Sequence, residues 1–477
     1  MKITPRIPVV TLTSTTSTGT SPGARKQGPA AWGKTPSAPS VFGPWQDQLN
    51  AAPQILVALS GGLDSMVLLH LLMGTVPVGR ISVVHVNHGL SPNADQWQAS
   101  VEAYCQSLKL QLQVERVQVV VAGEGIEAAA RSARYAVFER LLQKDGLLLL
   151  GHHGDDQVET VLYHLMRGSG AKGLAGMPVE RALGLGRLVR PLLSLSKSDL
   201  QAYGQAQKLS SVEDESNAES IFDRNYLRNE VIPVIADRWP DYRQAIQLSA
   251  QHSSEASQLA EVLAHEDLLK LELREERAGW SICIDSLSQL SPLRQRNILR
   301  HWPSVYSWAM PNNKLITEIM DSLIRVRKDA QPALVWQSTQ WRRFHGRLYL
   351  LSFRGGSNFT GEQHDSWAMQ QPLRLIDGSH LMAQEIVGEG LFLESGQAVT
   401  IRYRQGGERC KPAGRGHSNS LKKLFLEHLI EPWWRDRMPL LYVGETLVAV
   451  GDCWVCEGWQ AQAGQRGKKI RWQANSL

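Results

Sequence analysis

The sequence predicts an α/β fold: a parallel-sheet nucleotide-binding domain over residues 47–240, a mainly helical middle domain over 241–355 and a small α+β domain over 370–477. Three observations carry that prediction. Short apolar runs alternate with helix-like stretches from Pro53 to Gly170, the alternation stops after Arg238-Trp239-Pro240, and β-rich runs return only beyond the glycine-rich FRGGSNFTGEQ. β/α alternation with short connections builds a parallel sheet covered by helices on both faces.

Taken in order, residues 1–46 are rich in Ser, Thr, Gly and Pro and carry Lys2, Arg6, Arg25, Lys26 and Lys34 but no acid. Too few large apolar groups are present to offset ordering entropy, so a disordered basic extension is expected; a transit peptide or a solvated tail shares this composition. ILVAL then reads as a strand, DSMVLLHLLMG as a helix, ISVVHVNHG as a strand and ADQWQASVEAYCQSLK as a helix. LQVERVQVVV, EAAARSARYAVFERLLQKDG, LLLLGHH and DDQVETVLYHLMRGSG repeat the pattern. YRQAIQLSAQHSSEASQLAEVLAHEDLLKLEL and SPLRQRNILRHW have helical spacing. LRLIDG, AVTIRYRQGGERC, LKKLFLEHL and PLLYVGETLVAVGDCWV supply the strands and one helix of the last domain.

Bulk properties exclude several classes. No apolar run approaches the ~20 residues of a bilayer span, so no membrane role is expected. Five scattered cysteines, Cys105, Cys283, Cys410, Cys453 and Cys456, fit a reducing cytoplasm, and the CxxC at Cys453–Cys456 has no second ligand pair, so it reads as structural thiols. The net charge of +5 equals the charge of residues 1–46, so the rest is neutral and any affinity for nucleic acid must come from local patches.

In open parallel sheets ligands lie beyond the carboxyl ends of the strands. Strands one, two and four end in SGGLDS, VNHG and GHHGDD, so three polar clusters are expected at one crevice. Gly61 and Gly62 permit a sharp turn whose N–H groups, with those of the following helix, can cradle phosphate. No lysine follows, as a Walker loop would require, and Asp64 repels phosphate unless Mg²⁺ bridges them. The plainer alternative is a strand–helix connection capped by Asp64. In GHHGDDQVE, His152, His153, Asp155, Asp156 and Glu159 crowd where a strand gives way to a helix. They can orient an amine and take its proton, help hold a metal, or simply cap the helix.

SGGLDS after a buried strand resembles the PP-loop of the ATP pyrophosphatases, which cleave ATP between its α and β phosphates. GHHGDDQVETVLYHLMRGSGAKGLAGM, with VNHGLSPNADQW, EAAARSARY, RPLLSLSKSDLQAYGQ, SVEDESNAESIFDRNYLRNEVIP and the stretch from Arg402 to Gly451, resembles the tRNA(Ile)-lysidine synthetase family over about Pro53 to Val455. The resemblance implies ATP and Mg²⁺ as cofactors, free L-lysine and an isoleucine tRNA with a CAU anticodon as partners, and ligation of lysine to C2 of the wobble cytidine through an adenylated intermediate. A homodimer is compatible with it. It implies ATP binding by Ser60, Gly61, Gly62, Leu63, Asp64 and Ser65, with Asp64 on the metal and Asn87 and His88 at the nucleoside end. Asp155, Asp156 and Glu159 are the expected lysine-binding residues, with Asp156 as orienter or base. Arg131 or Arg134, and Arg224 or Arg228, are expected to hold phosphate or the adenylate, Arg131 and Arg224 being the first choices; surface salt bridges are the alternative for each. Nine basic residues between Arg402 and Arg437 face four acids, and Arg402, Arg404, Lys411, Arg415, Lys422 and Lys423 are the expected tRNA contacts, against a merely solvated face. Rival readings are a PP-loop tRNA thiolase, which would want more cysteines than Cys105 in this domain, a glutamine-dependent synthetase, which would want an N-terminal cysteine, and an inactive tRNA-binding protein.

Overall fold

A computed structural model describes residues 36–120, 125–212, 223–325, 332–353 and 364–474. Two compact units divide at residues 259/260. The expected disordered extension lies mostly outside the described residues. Its last part departs from expectation: α1 (Ala38–Phe42) is helical, and Val41 and Phe42 are buried in the first core; α2 (Gln46–Ala51) follows it and adds Leu49.

The first unit is built on β1 (Ile55–Ala58), α3 (Leu63–Met73), β2 (Ile81–Asn87), α4 (Ala94–Ser107), β3 (Gln111–Arg116), α5 (Ile126–Leu141), β4 (Leu147–Leu149), α6 (Gly154–Met166) and α7 (Ala171–Leu174). The hairpin β5 (Glu180–Leu183) and β6 (Gly186–Val189), then α8 (Lys197–Ala206), α9 (Asp223–Tyr226), α10 (Ile232–Arg238) and the start of α11 (Tyr242–Leu269), complete it. The sheet order is β3-β2-β1-β4-β6-β5, parallel except for β5. Ile55, Val57, Leu147 and Leu149 pack into one core, while Leu56, Leu148 and Leu188 pack with Val137 and Phe138 of α5 in another. Successive strand residues point to opposite faces, so burial on both sides explains why these strands read as unbroken apolar runs. β3 stops at Arg116, short of the VQVVV that the sequence suggested as its continuation.

The middle domain, expected to be mainly helical, also carries a sheet that helical spacing did not announce. α12 (Ile284–Ser288), α13 (Pro292–His301) and α14 (Asn313–Ile319) accompany an antiparallel sheet of β7 (Arg274–Glu276), β8 (Gly279–Cys283), β9 (Ala333–Trp336), β10 (Thr339–Phe344) and β11 (Arg347–Ser352), in the order β7-β8-β11-β10-β9. One face of this sheet gives Trp341, Leu348 and Leu350 to a core with Leu299, Trp302 and Ile316. The other gives Phe344, Tyr349 and Leu351 to the core of the C-terminal domain. That second face could not be recognised from helical spacing alone.

The C-terminal domain contains three further antiparallel sheets, the smallest a pairing of β16 (Arg409–Cys410) with β17 (Asn419–Ser420). β12 (His364–Trp367), β15 (Val399–Arg402), β18 (Leu440–Val443), β19 (Thr446–Val450) and β20 (Trp454–Val455) form another; β13 (Leu373–Arg374), β14 (His380–Val387) and β21 (Arg466–Gln473) form the third. α15 (Leu421–Glu427) starts on Ser420, whose hydroxyl accepts from Lys423 N–H, and buries Leu421, Leu424 and Phe425. Arg277 joins this domain to the middle sheet through two bonds to Asp452 of 2.9 and 2.6 Å and stacks over Trp472. No helix is long and apolar enough to cross a membrane among the described residues.

Candidate active site

At the end of β1 the chain turns through Gly61 at φ +91°, a conformation that a side chain would strain, and an added Cβ would lie 3.0 Å from Val212 and 3.1 Å from Val101. Gly62 N–H donates to Ser60 Oγ at 3.3 Å, Ser65 Oγ–H donates to Gly62 O at 2.8 Å, and the two serine hydroxyls lie 3.1 Å apart. Leu63 opens α3 and packs on Gly204 of α8, where any Cβ would collide with it. The turn is therefore held open from behind, with the first N–H groups of α3 at its mouth.

Asp64 stands in the first turn of α3. Its Oδ1 is buried and has no hydrogen-bond partner, while Oδ2 lies 3.5 Å from His153 Nε2. Gly151, at the end of β4, approaches the Asp64 backbone so closely that a Cβ there would lie 3.0 Å from it. An orphaned carboxylate oxygen beside a phosphate-sized turn suits Mg²⁺, which takes one or two carboxylates and fills its remaining positions with phosphate and water. Among the described residues no three His, Cys, Asp or Glu side chains form a ready metal cage.

β4 and α6 bring the second cluster to the same place. His153 caps α6: its Nδ1 accepts from Asp155 N–H at 3.2 Å, and its own N–H donates to Asp156 Oδ2 at 2.9 Å. Nε2 consequently carries the ring proton toward Asp64 and lies 3.6 Å from Asp156 Oδ2. Burial lowers the basicity of this imidazole, but Asp64, Asp156 and Asp155 outweigh it and hold His153 above the ordinary histidine value.

The expected lysine-binding set separates. Asp155 accepts from Arg243 Nε at 2.6 Å and from Lys197 N–H at 2.7 Å, so both its oxygens serve the packing of α6 against α8 and α11. Glu159, in the interior, receives Arg228 on both oxygens at 2.5 and 2.8 Å. Asp156 keeps the freer carboxylate, with Oδ1 3.5 Å from Arg228. Burial opposes the charge on Arg228, yet Glu159, Asp156 and Asp64 raise its pKa. Of the two downstream arginines, Arg228 joins the cluster, and Arg224, the preferred choice from sequence, lies over the Tyr163 ring at 5.7 Å. The helix through 227–231 is widened to π geometry, an irregularity that no periodicity count reveals.

Asn87 and His88 end β2. Asn87 donates to Asp95 and Gln98 and accepts from Gly89 N–H, so its amide shapes the turn beside a cavity of about 200 Å³ lined by Gly89, Ser91, Asp95 and Arg116. His88 Nδ1 is buried without a partner, and burial, then Arg134 and His85, push its pKa down to about 4. Arg131 bonds Tyr135 OH on its own helix at 3.3 Å.

The expected tRNA contacts are largely paired with acids: Arg402 with Glu445, Arg404 with Asp436, Lys411 with Glu457 and Arg415 with Glu427, at 2.5 to 3.0 Å. Lys423 lies 3.9 Å from Glu427, and Lys422 is exposed. Arg402 ends β15 and Arg404 lies beyond it. Sequence reasoning missed the outer face of β13-β14-β21. Register places Arg374, His380, Gln473, Met382, Arg471, Gln384 and Lys469 there, with Glu389 3.8 Å from Lys469. Alternation in RGKKIRWQ was the available signal.

A glycine turn after the first strand, a carboxylate beside it and ligand groups at the ends of neighbouring parallel strands define a PP-loop nucleotide-binding enzyme. Residues 40–235 match the model described as PP-loop domain, 282–349 that of the TilS substrate binding domain, and 399–472 that of the TilS substrate C-terminal domain. The chain is 39% identical to the tRNA(Ile)-lysidine synthase of Coxiella burnetii, covering 89% of this chain and 94% of that one. It is 40% identical to that of Serratia proteamaculans, covering 89% and 97%. The chain belongs to the tRNA(Ile)-lysidine synthase family. A U34-tRNA thiolase from Methanococcus maripaludis is similar at 14% identity and a TM-score of 0.35 over 45% of this chain and 79% of that one.

Proposed function

We propose that this protein performs the lysidine-forming reaction: ATP adenylates the C2 carbonyl oxygen of the wobble cytidine in an isoleucine tRNA with a CAU anticodon, releasing pyrophosphate, and the ε-amine of free lysine then attacks C2, displaces AMP with that oxygen and loses a proton. The observation that carries the reading is the continuous line from the glycine turn through Asp64 and His153 to Asp156; in this scheme it joins the end that holds phosphate to the end that holds the amine. Ser60, Gly61, Gly62, Leu63 and Ser65 hold the pyrophosphate end of ATP, and His88 offers its unpaired ring nitrogen toward the nucleoside end. Mg²⁺ on Asp64, when bound, neutralises phosphate charge.

Lysine's amine has a pKa near ~10.4 and is mostly protonated at neutral pH, so it needs an acceptor before it can attack. Asp156 is the acceptor in this scheme, because Asp155 is committed to Arg243 and Glu159 to Arg228. Glu159 then acts by fixing Arg228, whose guanidinium faces Asp156 and stabilises negative charge. The C-terminal domain grips tRNA phosphates through Lys422, Lys423 and the outer face of β13-β14-β21, with Arg402, Arg404, Lys411 and Arg415 contributing where RNA displaces their acidic partners.

The test is incubation of purified protein with ATP, radiolabelled lysine, and isoleucine or methionine tRNA transcripts. ATP-dependent label on the isoleucine tRNA alone is expected; label on neither defeats the reading. Asp156→Asn is expected to lower lysine incorporation about 100-fold, and full incorporation would remove Asp156 from its role.

A further inference from the structure

Tyr135 of α5 sits among arginines from three separate segments. Arg131, one turn earlier, donates to the phenol oxygen at 3.3 Å and lies 5.0 Å from the ring centre; Arg181 of β5 lies 5.0 Å from the same ring. Arg190, just past β6, donates to the phenol oxygen at 3.4 Å. Its other donors reach His152 Nδ1 at 3.3 Å and Pro178 O at 2.7 Å.

All three partners of Arg190 are neutral, and Arg190 is only 2% exposed. Among the described residues no carboxylate pairs with Arg131, Arg181 or Arg190. A buried guanidinium without a counter-charge is costly, and natural interiors normally pair it. The charges that act on Tyr135, His152 and Arg190 are uniformly cationic apart from the phenol itself. Burial raises the Tyr135 pKa, but Arg131, Arg190 and Arg181 lower it below the ordinary value; burial and then Arg190, Arg134 and Arg131 keep His152 neutral. The first unit therefore holds an excess of positive charge at the carboxyl ends of β4 and β6, one to two strand spacings from the glycine turn that follows β1.

We propose that Arg181 and Arg190, gathered around Tyr135 with Arg131, which the resemblance already assigned to phosphate, form a second phosphate-binding site, distinct from the glycine turn. Arg181 and Arg131 present the accessible donors, and Arg190 supplies charge from beneath and fixes the phenol oxygen between them. A backbone phosphate of the tRNA near the reacting nucleotide and a phosphate of ATP share the required chemistry. Position favours the tRNA, since Arg181 lies on the β5–β6 hairpin and Arg190 just past it, on the far side of β4 from the Asn87–His88 end. The inference rests on the proposed reaction only for the identity of its RNA.

Equilibrium binding tests it with full-length protein, isoleucine tRNA transcript, and Mg-ATP in separate titrations. Arg181→Gln is expected to weaken tRNA binding about tenfold near 0.1 M salt and to reduce the slope of log affinity against log salt by about one. Arg187→Gln, which removes a charge already paired with Glu180 at 2.5 Å, is the control and should change neither. Loss of Mg-ATP affinity with tRNA affinity retained would assign the site to a nucleotide phosphate. Arg190→Lys, which keeps the charge, is the second variant and should weaken the same ligand as Arg181→Gln. Unchanged affinity for both ligands in folded Arg181→Gln and Arg190→Lys proteins would overturn the site. Binding needs no turnover, so intact tRNA binding without lysine incorporation would defeat the proposed reaction and leave the phosphate site standing.

Discussion

Replacing Glu159 by Gln keeps its size but removes the charge that Arg228 grips. The carboxylate is 5% exposed and the guanidinium 32% exposed, with two bonds of 2.5 and 2.8 Å between them. Breaking a fully buried pair costs about 3–5 kcal/mol. Two features reduce that figure: a third of Arg228 reaches solvent, and Asp156 Oδ1, 3.5 Å away, can take up part of its charge. About 2 kcal/mol of coupling is therefore expected in a cycle with Arg228→Gln, within the range for charge-assisted bidentate bonds. Urea unfolding of the four proteins, followed through the transition of the first unit, measures it. A coupling below about 0.5 kcal/mol would show that the pair does not hold this site together. Lysine KM, measured on the same proteins, should rise with either single change, because Arg228 would no longer face Asp156 in one geometry.

Three further outcomes are expected. His88, neutral in the fold with a pKa of about 4 against 6.5 when unfolded, makes the unfolded chain bind more protons between those values. Stability should fall as pH drops from 6.5 to 4, by about 1–2 kcal/mol after allowance for partial exposure, and His88→Gln should flatten that part of a pH series of unfolding midpoints. Gly61→Ala forces a side chain into a left-handed turn against Val101 and Val212 and should cost about 1–3 kcal/mol with loss of ATP binding by equilibrium dialysis. Asp155→Asn should lower thermal stability by about 1–2 kcal/mol while leaving lysine KM within about threefold, since Asp155 is bonded to Arg243 and Lys197 rather than open to ligand.

The sequence by itself determined the α/β core, the glycine turn, Asp64 and the Asp155–Asp156–Glu159 cluster. Each depends on short-range chemistry: buried strands between two helical layers must be apolar throughout, and a turn that meets phosphate must lack Cβ atoms. The tertiary structure decided which member of each cluster is free. Asp155 and Asp156 are adjacent and alike in sequence, yet Arg243, 87 positions beyond Asp156 in the chain, occupies only the first. Arg224 and Arg228 differ by one helical turn, and the π-widened helix at 227–231 accompanies the delivery of the second to Glu159. The middle sheet was hidden because antiparallel pairing joins segments as distant as Gly279 and Leu351, for which helical spacing in the intervening chain gives no signal. The C-terminal arginines looked like one patch only in linear order. Strand pairing and loop closure bring Glu445, Asp436 and Glu427 to them, while the basic face of Arg374, Lys469 and Arg471 is assembled from strands almost 100 residues apart. Charge counts along a chain cannot give that result, because electrostatic attraction depends on distance in space.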